Sequence, residues 1–231
     1  MIKNAVHNKT VVIMPVFNEG AVLFDVLQKL VASNYTLVVV DDGSFHSLKS
    51  KLDNYPIYFL RHQANLGQGA ALQTGFDFAK TLNPDYIVCI DADGQHDIEG
   101  IPALIEPLKN NEADIVMGSR FLTDETKHIP VSRRILIRFA RFINYLFSGL
   151  LLSDAHNGFR ALNNTALQKI KITENRMAHA SEILFEVKKH GLRFKEVPVH
   201  IAYTDYSRSK GQSTWQSIRI LFDIILHKLF K

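Results

Sequence analysis

The sequence contains one cysteine and has no long uninterrupted apolar run. Cys89 cannot form an internal disulfide, and it lies in the apolar stretch Tyr86–Ile90, where a buried thiol behaves as a small hydrophobic side chain. The two longest apolar stretches, 135–152 and 215–230, are interrupted by charged residues, whereas crossing a bilayer takes about 20 mostly apolar residues. The polar N-terminus lacks the apolar core of a signal peptide. We therefore expect a reducing, cytoplasmic location and a chain that does not itself cross a membrane.

The chain also lacks a strong excess of one charge. Its 27 Lys and Arg residues against 23 Asp and Glu residues give a formal net charge of +4 over 231 residues. This is not a nucleic-acid-binding composition. With 46% hydrophobic residues, the chain can bury one large core, and we predict a single catalytic domain at 1–213 followed by an amphipathic helix at 214–231.

Short apolar runs alternate with helical patterns along much of the chain. The predicted strands are Thr10–Pro15, Leu37–Val40, Ile57–Arg61, Tyr86–Ile90 and Asp114–Met117, and the predicted helices include Ala21–Ser33, Gly69–Lys80 and Ala180–His190. Strands that are apolar throughout and separated by helices are typical of a parallel sheet buried on both sides. The sequence thus predicts an α/β fold with a mainly parallel central sheet and helices on both faces.

Polar clusters follow the first four predicted strands. They are Asn18-Glu19, Asp41-Asp42, Asn65 to Gly69 and Asp91-Ala92-Asp93. In open α/β sheets, the edge formed by the strand carboxyl ends is where ligands bind. Acidic groups gathered at one edge repel each other unless a cation or a hydrogen-bonding ligand compensates.

The Asp91-Ala92-Asp93 segment is a candidate metal site. Two carboxylates on the same side of an extended segment can hold a hard divalent cation together with phosphate oxygens, and Gln95 can add a neutral oxygen. The alternative is a solvated surface turn, since Asp and Gly favour turns. Its place directly after a buried strand favours the metal site.

Two further clusters also have structural alternatives. A carboxylate in Asp41-Asp42-Gly43-Ser44 can accept a hydrogen bond from a nucleobase N–H or a ribose hydroxyl, but the segment also has the composition of a helix N-cap. The glycines of Asn65-Leu66-Gly67-Gln68-Gly69 would let the backbone approach a ligand, although such a motif alone is more often a plain turn.

Taken in order, six segments resemble the family 2 inverting glycosyltransferases of the GT-A fold. Within that family the sequence is most similar to the polyprenyl-phosphate and dolichyl-phosphate sugar transferases. The segments are Pro15-Val16-Phe17-Asn18-Glu19, Asp41-Asp42-Gly43-Ser44, Asn65-Leu66-Gly67-Gln68-Gly69, Asp91-Ala92-Asp93-Gly94-Gln95-His96, Gly118-Ser119-Arg120 and Gly158-Phe159-Arg160. The resemblance runs from about Val11 to Ser213, nearly the whole chain.

The resemblance implies a site for a UDP- or GDP-linked sugar. The residues assigned to the donor are Pro15, Phe17, Glu19, Asp42, Gly69, Asp91, Ala92 and Asp93, with Arg208 and Lys210 on a loop over the diphosphate. Asp91, Asp93 and Gln95 would hold Mg²⁺ or Mn²⁺ against that diphosphate. The expected reaction is a direct displacement at the anomeric carbon with inversion of configuration.

The sequence leaves two classes of acceptor open, a lipid phosphate and a saccharide hydroxyl. The resemblance implies that Arg120 would face an acceptor phosphate and that Asp154 would lie beside the donor sugar. Arg134 is a further candidate for positioning that phosphate. Many lipid-phosphate transferases carry Thr-Ser before the Gly-Phe-Arg segment, whereas this chain has His156-Asn157. If the acceptor is instead a saccharide hydroxyl, Asp154 becomes the leading candidate base. A non-catalytic, membrane-associated subunit is the third interpretation, and the complete acidic set argues against it.

The segment 133–152 and the tail 215–230 both combine basic and apolar side chains at helical spacing. Each pattern fits an ordinary core-facing helix or a helix at the headgroup boundary of an anionic membrane. We expect peripheral contact with the inner face of the cytoplasmic membrane. A small membrane-protein subunit is a further expected partner, because relatives without spanning helices often depend on one.

Overall fold

The computed structural model describes residues 9–123, 141–142, 145–146, 148–155 and 157–202. In these residues the strands are β1 (Thr10–Val16), β2 (Thr36–Asp41), β3 (Ile57–Arg61), β4 (Tyr86–Cys89), β5 (Ile115–Ser119), β6 (Arg160–Asn163) and β7 (Phe194–Pro198). The helices are α1 (Val22–Ala32), α2 (Lys49–Leu52), α3 (Gln68–Leu82), α4 (Ile101–Lys109), α5 (Asn164–Lys169) and α6 (His179–Lys189). The predicted residues Arg134, Arg208 and Lys210, the tail 214–231 and most of 133–152 lie outside the described residues.

The seven strands form one sheet in the order β3-β2-β1-β4-β6-β5-β7. All neighbours pair in parallel except β6, which is antiparallel to both β4 and β5. The prediction of a mainly parallel α/β sheet is therefore confirmed. Among the described helices, none is both long and apolar enough to span a bilayer.

Helices cover both faces of the sheet, as β1 illustrates. Val11 and Ile13 belong to a core formed with α3, α5 and α6, whereas Val12 and Met14 belong to a second core formed with α1 and α4. Successive side chains of a strand point to opposite faces, so a strand buried on both sides must be apolar throughout. Every residue of β1 is buried accordingly.

The register of the parallel strands brings their carboxyl ends to one edge. Val16 of β1 pairs with Asp41 of β2, and Asp41 pairs with Arg61 of β3. On the other side of β1, Ile13 pairs with Cys89, the last residue of β4. The polar clusters that follow these strands therefore start from the same edge of the sheet.

The antiparallel strand β6 brings a distant part of the sequence to this edge. Arg160, its first residue, pairs with Cys89 of β4 and with Met117 of β5. The residues just before β6 therefore lie beside the polar segment that follows β4. Neither β6 nor β7 was predicted, because neither is an apolar run: β6 reads Arg-Ala-Leu-Asn, and β7 has an exposed lysine at Lys195.

Candidate active site

A cavity of about 530 Å³ opens at the carboxyl edge of the sheet. It is lined by Pro15, Val16, Phe17, Glu19, Asp42, Asn65, Gly67, Gln68, Asp91, Ala92, Asp93, Gln95, Arg176 and Met177. Residues from all four predicted polar clusters thus line one space. Their convergence follows from the parallel register, which ends β1, β2, β3 and β4 at the same edge.

Asp91 and Asp93 form the acidic part of this cavity. Oδ1 of Asp91 accepts a hydrogen bond from Nε2 of Gln68 at 2.8 Å, and Oδ1 of Asp93 accepts from the backbone N–H of Gln95 at 3.0 Å. Burial raises the pKa of the Asp93 carboxyl, and the negative charges of Asp91 and Glu19 raise it further against the opposing hydrogen bond from Gln95. A cation placed between the two carboxylates would relieve this crowding.

The donor set of this segment fits a hard divalent cation. Asp91, Asp93 and Gln95 all line the cavity and offer oxygen atoms, which Mg²⁺ and Mn²⁺ prefer. Among the described residues there is no group of three or more His, Cys, Asp or Glu side chains that could hold a metal alone. Two carboxylates and one amide oxygen suit an ion that completes its coordination with water and the phosphates of a ligand, as Mg²⁺ commonly does.

Gly158 sits directly behind the Asp91 side chain. A Cβ atom at this position would lie 2.5 Å from Oδ2 of Asp91, so only glycine leaves room for the carboxylate. The neighbouring Phe159 stacks on His96, with ring centroids 5.0 Å apart and planes 12° from parallel. The ring nitrogen Nδ1 of His96 in turn accepts the backbone N–H of Asp91 at 3.2 Å. The Gly158-Phe159 segment thus supports the backbone and the side chain of Asp91.

Arg160 carries a buried guanidinium close to the acidic segment. Its Nε donates to the carbonyl of Asn157 at 2.8 Å, and its Nη2 donates to the carbonyl of Ala155 at 2.9 Å. Burial lowers its pKa, while the charges of Asp91 and Asp154 act in the opposite direction. The side chain therefore ties the loop before β6 to the sheet and adds positive charge behind the carboxylates.

Asp42 lines the cavity, but both of its carboxylate oxygens are already hydrogen-bonded to other residues of the protein. Oδ1 accepts from the backbone N–H of Leu66 at 3.0 Å and lies 2.7 Å from Nδ1 of His62. Oδ2 accepts from the backbone N–H of Gly67 at 2.7 Å and from Nδ2 of Asn65 at 2.9 Å. Asp42 therefore shapes the turn before α3, and its predicted contact with the nucleoside stays a prediction.

The glycines of the same turn approach the protein's own backbone. A Cβ atom on Gly69 would lie 2.0 Å from the carbonyl oxygen of Glu174, and one on Gly67 would lie 2.2 Å from that of Asn175. The backbone N–H of Gly69 also donates to Asn175 at 2.8 Å. Gly69 is not among the residues that line the cavity, and the loop before α6 packs against it. Its predicted contact with the donor stays a prediction.

The segment from Pro15 to Glu19 supplies the aromatic end of the cavity. Pro15, Phe17 and Glu19 all line it, and the Phe17 side chain is partly exposed toward the solvent. The ring of Phe45 lies near that of Phe17, with centroids 6.2 Å apart. An aromatic face beside a carboxylate suits a nucleobase and a ribose hydroxyl.

Arg120 and Asp154 were predicted to have separate roles, and the structure joins them. Nε and Nη2 of Arg120 donate to the two carboxylate oxygens of Asp154 at 2.8 and 2.9 Å. The Asp154 side chain is 3% exposed and the Arg120 side chain 36%. Neither residue lines the cavity described above. A carboxylate engaged and buried in this way is poorly placed to accept a proton from a substrate.

Glu196 holds the loop that carries Asp154. Its carboxylate accepts from the backbone N–H of Ser153 at 2.8 and 2.9 Å and from that of Asp154 at 3.1 Å. The Ser153 hydroxyl also donates to Glu196 at 2.8 Å and lies 2.5 Å from the Ser119 hydroxyl. These bonds fix the position of Asp154 relative to the end of β5. No role for Glu196 was predicted from the sequence.

Two other cavity residues were missed entirely. Arg176 and Met177 lie in the loop before α6, more than 80 positions after the acidic segment, and they line the cavity from the side of α3. This loop reaches the cavity through tertiary contacts, such as the hydrogen bond from Gly69 to Asn175. Such contacts cannot be predicted from spacing in the sequence. Gln68 was quoted within a motif but not assigned to the site.

The described part of the chain ends beside the acidic segment. The backbone N–H of Ala202 donates to the carbonyl of Gln95 at 2.8 Å, and Ile201 forms an antiparallel bridge with His96. The predicted diphosphate-binding residues Arg208 and Lys210 follow in the sequence and lie outside the described residues. The chain therefore approaches the cavity directly before the predicted loop.

Comparison with known proteins gives the family of this site. Residues 11–171 match the family described as Glycosyl transferase family 2. The chain belongs to this family. The match covers the acidic segment, Arg120, Asp154 and the Gly158-Phe159-Arg160 segment.

Two relatives of this family 2 protein are similar over nearly their whole length. An uncharacterized protein of Methanocaldococcus jannaschii is 35% identical over 95% of this chain and 92% of its own length. The UDP-N-acetylglucosamine–dolichyl-phosphate N-acetylglucosaminyltransferase of Methanococcus voltae is 30% identical over 95% of this chain and 96% of its own length. Among solved structures, mannosyl-3-phosphoglycerate synthase from Rubrobacter xylanophilus aligns with a TM-score of 0.67 at 14% identity, over 96% of this chain and 74% of that chain. The fold is thus that of the GT-A nucleotide-sugar transferases.

Proposed function

We propose that this protein transfers a sugar from a nucleotide-diphosphate sugar to a polyprenyl phosphate, with inversion at the anomeric carbon. The main support is the cavity in which the aromatic end at Phe17 and the acidic segment at Asp91 and Asp93 line one space. That arrangement provides one end for a nucleoside and another for a diphosphate with its cation. The Methanococcus voltae relative, whose name specifies UDP-N-acetylglucosamine and dolichyl phosphate, supports the donor and acceptor classes.

A divalent cation completes this proposal. Asp91, Asp93 and Gln95 are the residues that would hold Mg²⁺ or Mn²⁺, because their oxygen atoms line the cavity together. When bound, the cation supplies neutralising charge for the diphosphate of the donor. Gln68 orients the Asp91 carboxylate through its hydrogen bond, and Gly158 leaves the space that this carboxylate needs.

The reaction is a single displacement. An oxygen of the acceptor phosphate forms a bond to the anomeric carbon while the bond from that carbon to the nucleoside diphosphate breaks, and the electron pair leaves with the diphosphate. A phosphate oxygen is already anionic at neutral pH, so this attack needs no strong general base. Arg208 and Lys210 are proposed to neutralise the leaving diphosphate, because they follow the point at which Ala202 reaches Gln95.

The pair formed by Arg120 and Asp154 favours a phosphate acceptor over a saccharide hydroxyl. A hydroxyl acceptor requires a base, but both oxygens of Asp154 accept hydrogen bonds from Arg120 and its side chain is 3% exposed. Arg120 is 36% exposed, and a planar guanidinium is suited to binding phosphate oxygens. We propose that Arg120, together with Arg134, positions the acceptor phosphate and that Asp154 orients Arg120.

Contact with a membrane surface is also part of the proposal. Several large apolar side chains near Arg120 and Arg141 are about half exposed or more: Leu122, Phe142, Tyr145, Leu146 and Leu151. Apolar side chains accompanied by arginines suit the headgroup region of an anionic leaflet, where a polyprenyl phosphate is found. We propose peripheral attachment to the inner face of the cytoplasmic membrane, with a small membrane-protein subunit as a further partner.

A transfer assay tests the proposed function. UDP- and GDP-linked sugars are offered with Mg²⁺ or Mn²⁺, and the acceptor is either undecaprenyl phosphate in detergent or a set of saccharides. We expect metal-dependent labelling of the lipid, lost in Asp93→Ala and retained at a low level in Asp154→Asn. Labelling of a saccharide instead, abolished in Asp154→Asn, would establish the alternative that the His156-Asn157 departure suggests. Absence of transfer to every acceptor, with nucleotide binding intact, would favour the non-catalytic subunit.

A further inference from the structure

We propose that Arg176 is a donor-binding residue whose guanidinium contacts the diphosphate of the nucleotide sugar. The inference rests on the proposed function, since it assumes a nucleoside diphosphate in the cavity. It adds a residue from the loop 172–178, a part of the chain outside the six segments that carry the family resemblance.

The charge of the cavity calls for a cation in this region. Four carboxylates line it, from Glu19, Asp42, Asp91 and Asp93, and among the described lining residues Arg176 is the one with a positive charge. A nucleoside diphosphate adds negative charge of its own. One divalent cation offsets only part of this total, so a further positive group at the diphosphate would strengthen binding.

Arg176 lies between the two ends of the cavity. Its Cγ is 3.0 Å from the position that a Cβ atom on Gly67 would take, so the side chain passes over the turn before α3. Gly67 donates to Asp42 at the nucleoside end, and the next residue, Gln68, donates to Asp91 at the metal end. The diphosphate of a donor joins these two ends and must pass this turn.

Most backbone amides of the turn before α3 are already hydrogen-bonded within the protein. The N–H groups of Leu66 and Gly67 donate to Asp42, and those of Gly69 and Ala70 donate to the carbonyl of Asn175. A glycine-rich helix start often binds anions through such amides. Here the amides from Leu66 to Ala70, except that of Gln68, already have partners within the protein, so a side chain is needed for most of the contact with the diphosphate.

The loop that carries Arg176 is firmly anchored. The carboxylate of Glu182 accepts from the backbone N–H groups of Thr173 and Glu174 at 2.9 and 2.8 Å, and Oε1 of Gln73 accepts from that of Ile172 at 2.6 Å. The carbonyl of Arg176 itself lies 2.7 Å from Nδ1 of His179. Such anchoring positions a side chain before a ligand arrives, which lowers the entropic cost of binding.

Within the described residues, the guanidinium of Arg176 has no structural partner. It forms no hydrogen bond or ion pair with any residue in the part of the chain that the structure describes, and it is exposed at the cavity. A planar guanidinium can donate two parallel hydrogen bonds to phosphate oxygens. The combination of a fixed backbone and an unpaired cation at the cavity suits a ligand contact.

Nucleotide binding to the full chain tests this proposal. Dissociation constants are measured by calorimetry with Mn²⁺ for UDP and GDP, and for uridine and guanosine, which lack the phosphates. For the diphosphate that the wild type binds, we expect Arg176→Gln to weaken affinity at least about tenfold, since hydrogen bonds to charged groups contribute strongly. Nucleoside binding should not change. Arg176→Lys should lose less, because it keeps the charge.

Lys171→Gln is the matched control, because Lys171 is an exposed cation of the same segment that does not line the cavity. It should bind the diphosphate as the wild type does. The inference would be overturned if Arg176→Gln bound the diphosphate as tightly as the wild type. It would also be overturned if Lys171→Gln lost as much diphosphate affinity as Arg176→Gln, or if Arg176→Gln lost as much affinity for the nucleoside as for the diphosphate. If the wild type binds neither diphosphate, the proposed function itself fails, and this inference fails with it.

Discussion

The guanidinium of Arg120 holds the carboxylate of Asp154 in a bidentate ion pair, with donor–acceptor distances of 2.8 and 2.9 Å. The backbone N–H of Arg120 donates to the same carboxylate at 3.2 Å. The pair joins the end of β5 to the loop before β6, and Glu196 fixes that loop from the other side. A substitution at either residue of the pair therefore affects the other.

We predict that Arg120→Gln destabilises the protein more than Asp154→Asn does. The first change leaves a carboxylate that is 3% exposed without its cation, whereas the second leaves a guanidinium that is 36% exposed and can be solvated. We expect losses in the free energy of unfolding of about 3 and about 2 kcal/mol, measured by urea denaturation.

The exposed pair formed by Lys80 and Asp77 provides the control for this comparison, since Asp77 is 61% exposed. Lys80→Gln should cost less than about 0.5 kcal/mol. The double variant Arg120→Gln/Asp154→Asn should cost less than the sum of the two single changes. Additive losses would show that the two residues stabilise the fold independently.

A methyl group at Gly158 should disable the acidic segment without unfolding the protein. In Gly158→Ala, the new Cβ would lie 2.5 Å from Oδ2 of Asp91 and would force that side chain to move. We expect at least about a hundredfold loss of sugar transfer, because small displacements of catalytic groups have effects of this size. The unfolding temperature and the affinity for Mn²⁺ are both measured on this variant. We expect an unfolding temperature close to that of the wild type and weaker Mn²⁺ binding. An Mn²⁺ affinity equal to that of the wild type would contradict this account.

Acid should remove the contribution of Asp114 to stability. Hydrogen bonds from Arg193, whose Nη2 donates at 2.9 Å, hold the pKa of Asp114 at about 2, below its ordinary value of 3.8. Because the folded state favours the carboxylate, this contribution is complete above about pH 4 and is lost as the pH falls toward 2. In urea denaturation, wild type should be more stable than Asp114→Asn at pH 5, and the difference should become small near pH 2, where the carboxyl of the folded protein is half protonated. A difference that persists there undiminished would have another cause.

Cys89 should be unreactive while the protein is folded. Burial raises the pKa of its thiol to about 12, against the opposing charge of Arg160, which pairs with Cys89 across β4 and β6. Thiolates, not thiols, react with disulfide reagents. At pH 8 we expect no reaction with an aromatic disulfide in buffer and one equivalent in denaturant. Rapid reaction of the native protein would show that β4 opens readily.

The sequence predicted the parts of the fold that depend on local pattern. The strands near Val11, Leu37 and Ile57 are apolar blocks, and both the sheet and its covering on two faces follow from them. It did not predict β6 or β7, because strands containing charged residues do not differ in pattern from loops. Their positions depend on pairing with β4 and β5, which is a tertiary interaction.

For the candidate site, too, some features could be predicted from the sequence and others could not. The clusters at strand ends converge on one cavity because parallel strands share an edge, so spacing after each strand was enough to predict Glu19, Asp91 and Asp93 as neighbours. Spacing does not reveal which side chains satisfy each other. The ion pair of Arg120 and Asp154 and the packing of Gly69 on Glu174 depend on loops meeting in space.

Diffraction from crystals soaked with Mn²⁺ and UDP or GDP tests the central claim most directly. Anomalous difference density locates the metal without any assumption about the ligand. We predict a peak within about 2.3 Å of oxygen atoms of Asp91 and Asp93, with Gln95 adjacent, the diphosphate on the same ion and no peak in Asp93→Ala. A nucleotide bound in this cavity with the metal away from both carboxylates would contradict the account.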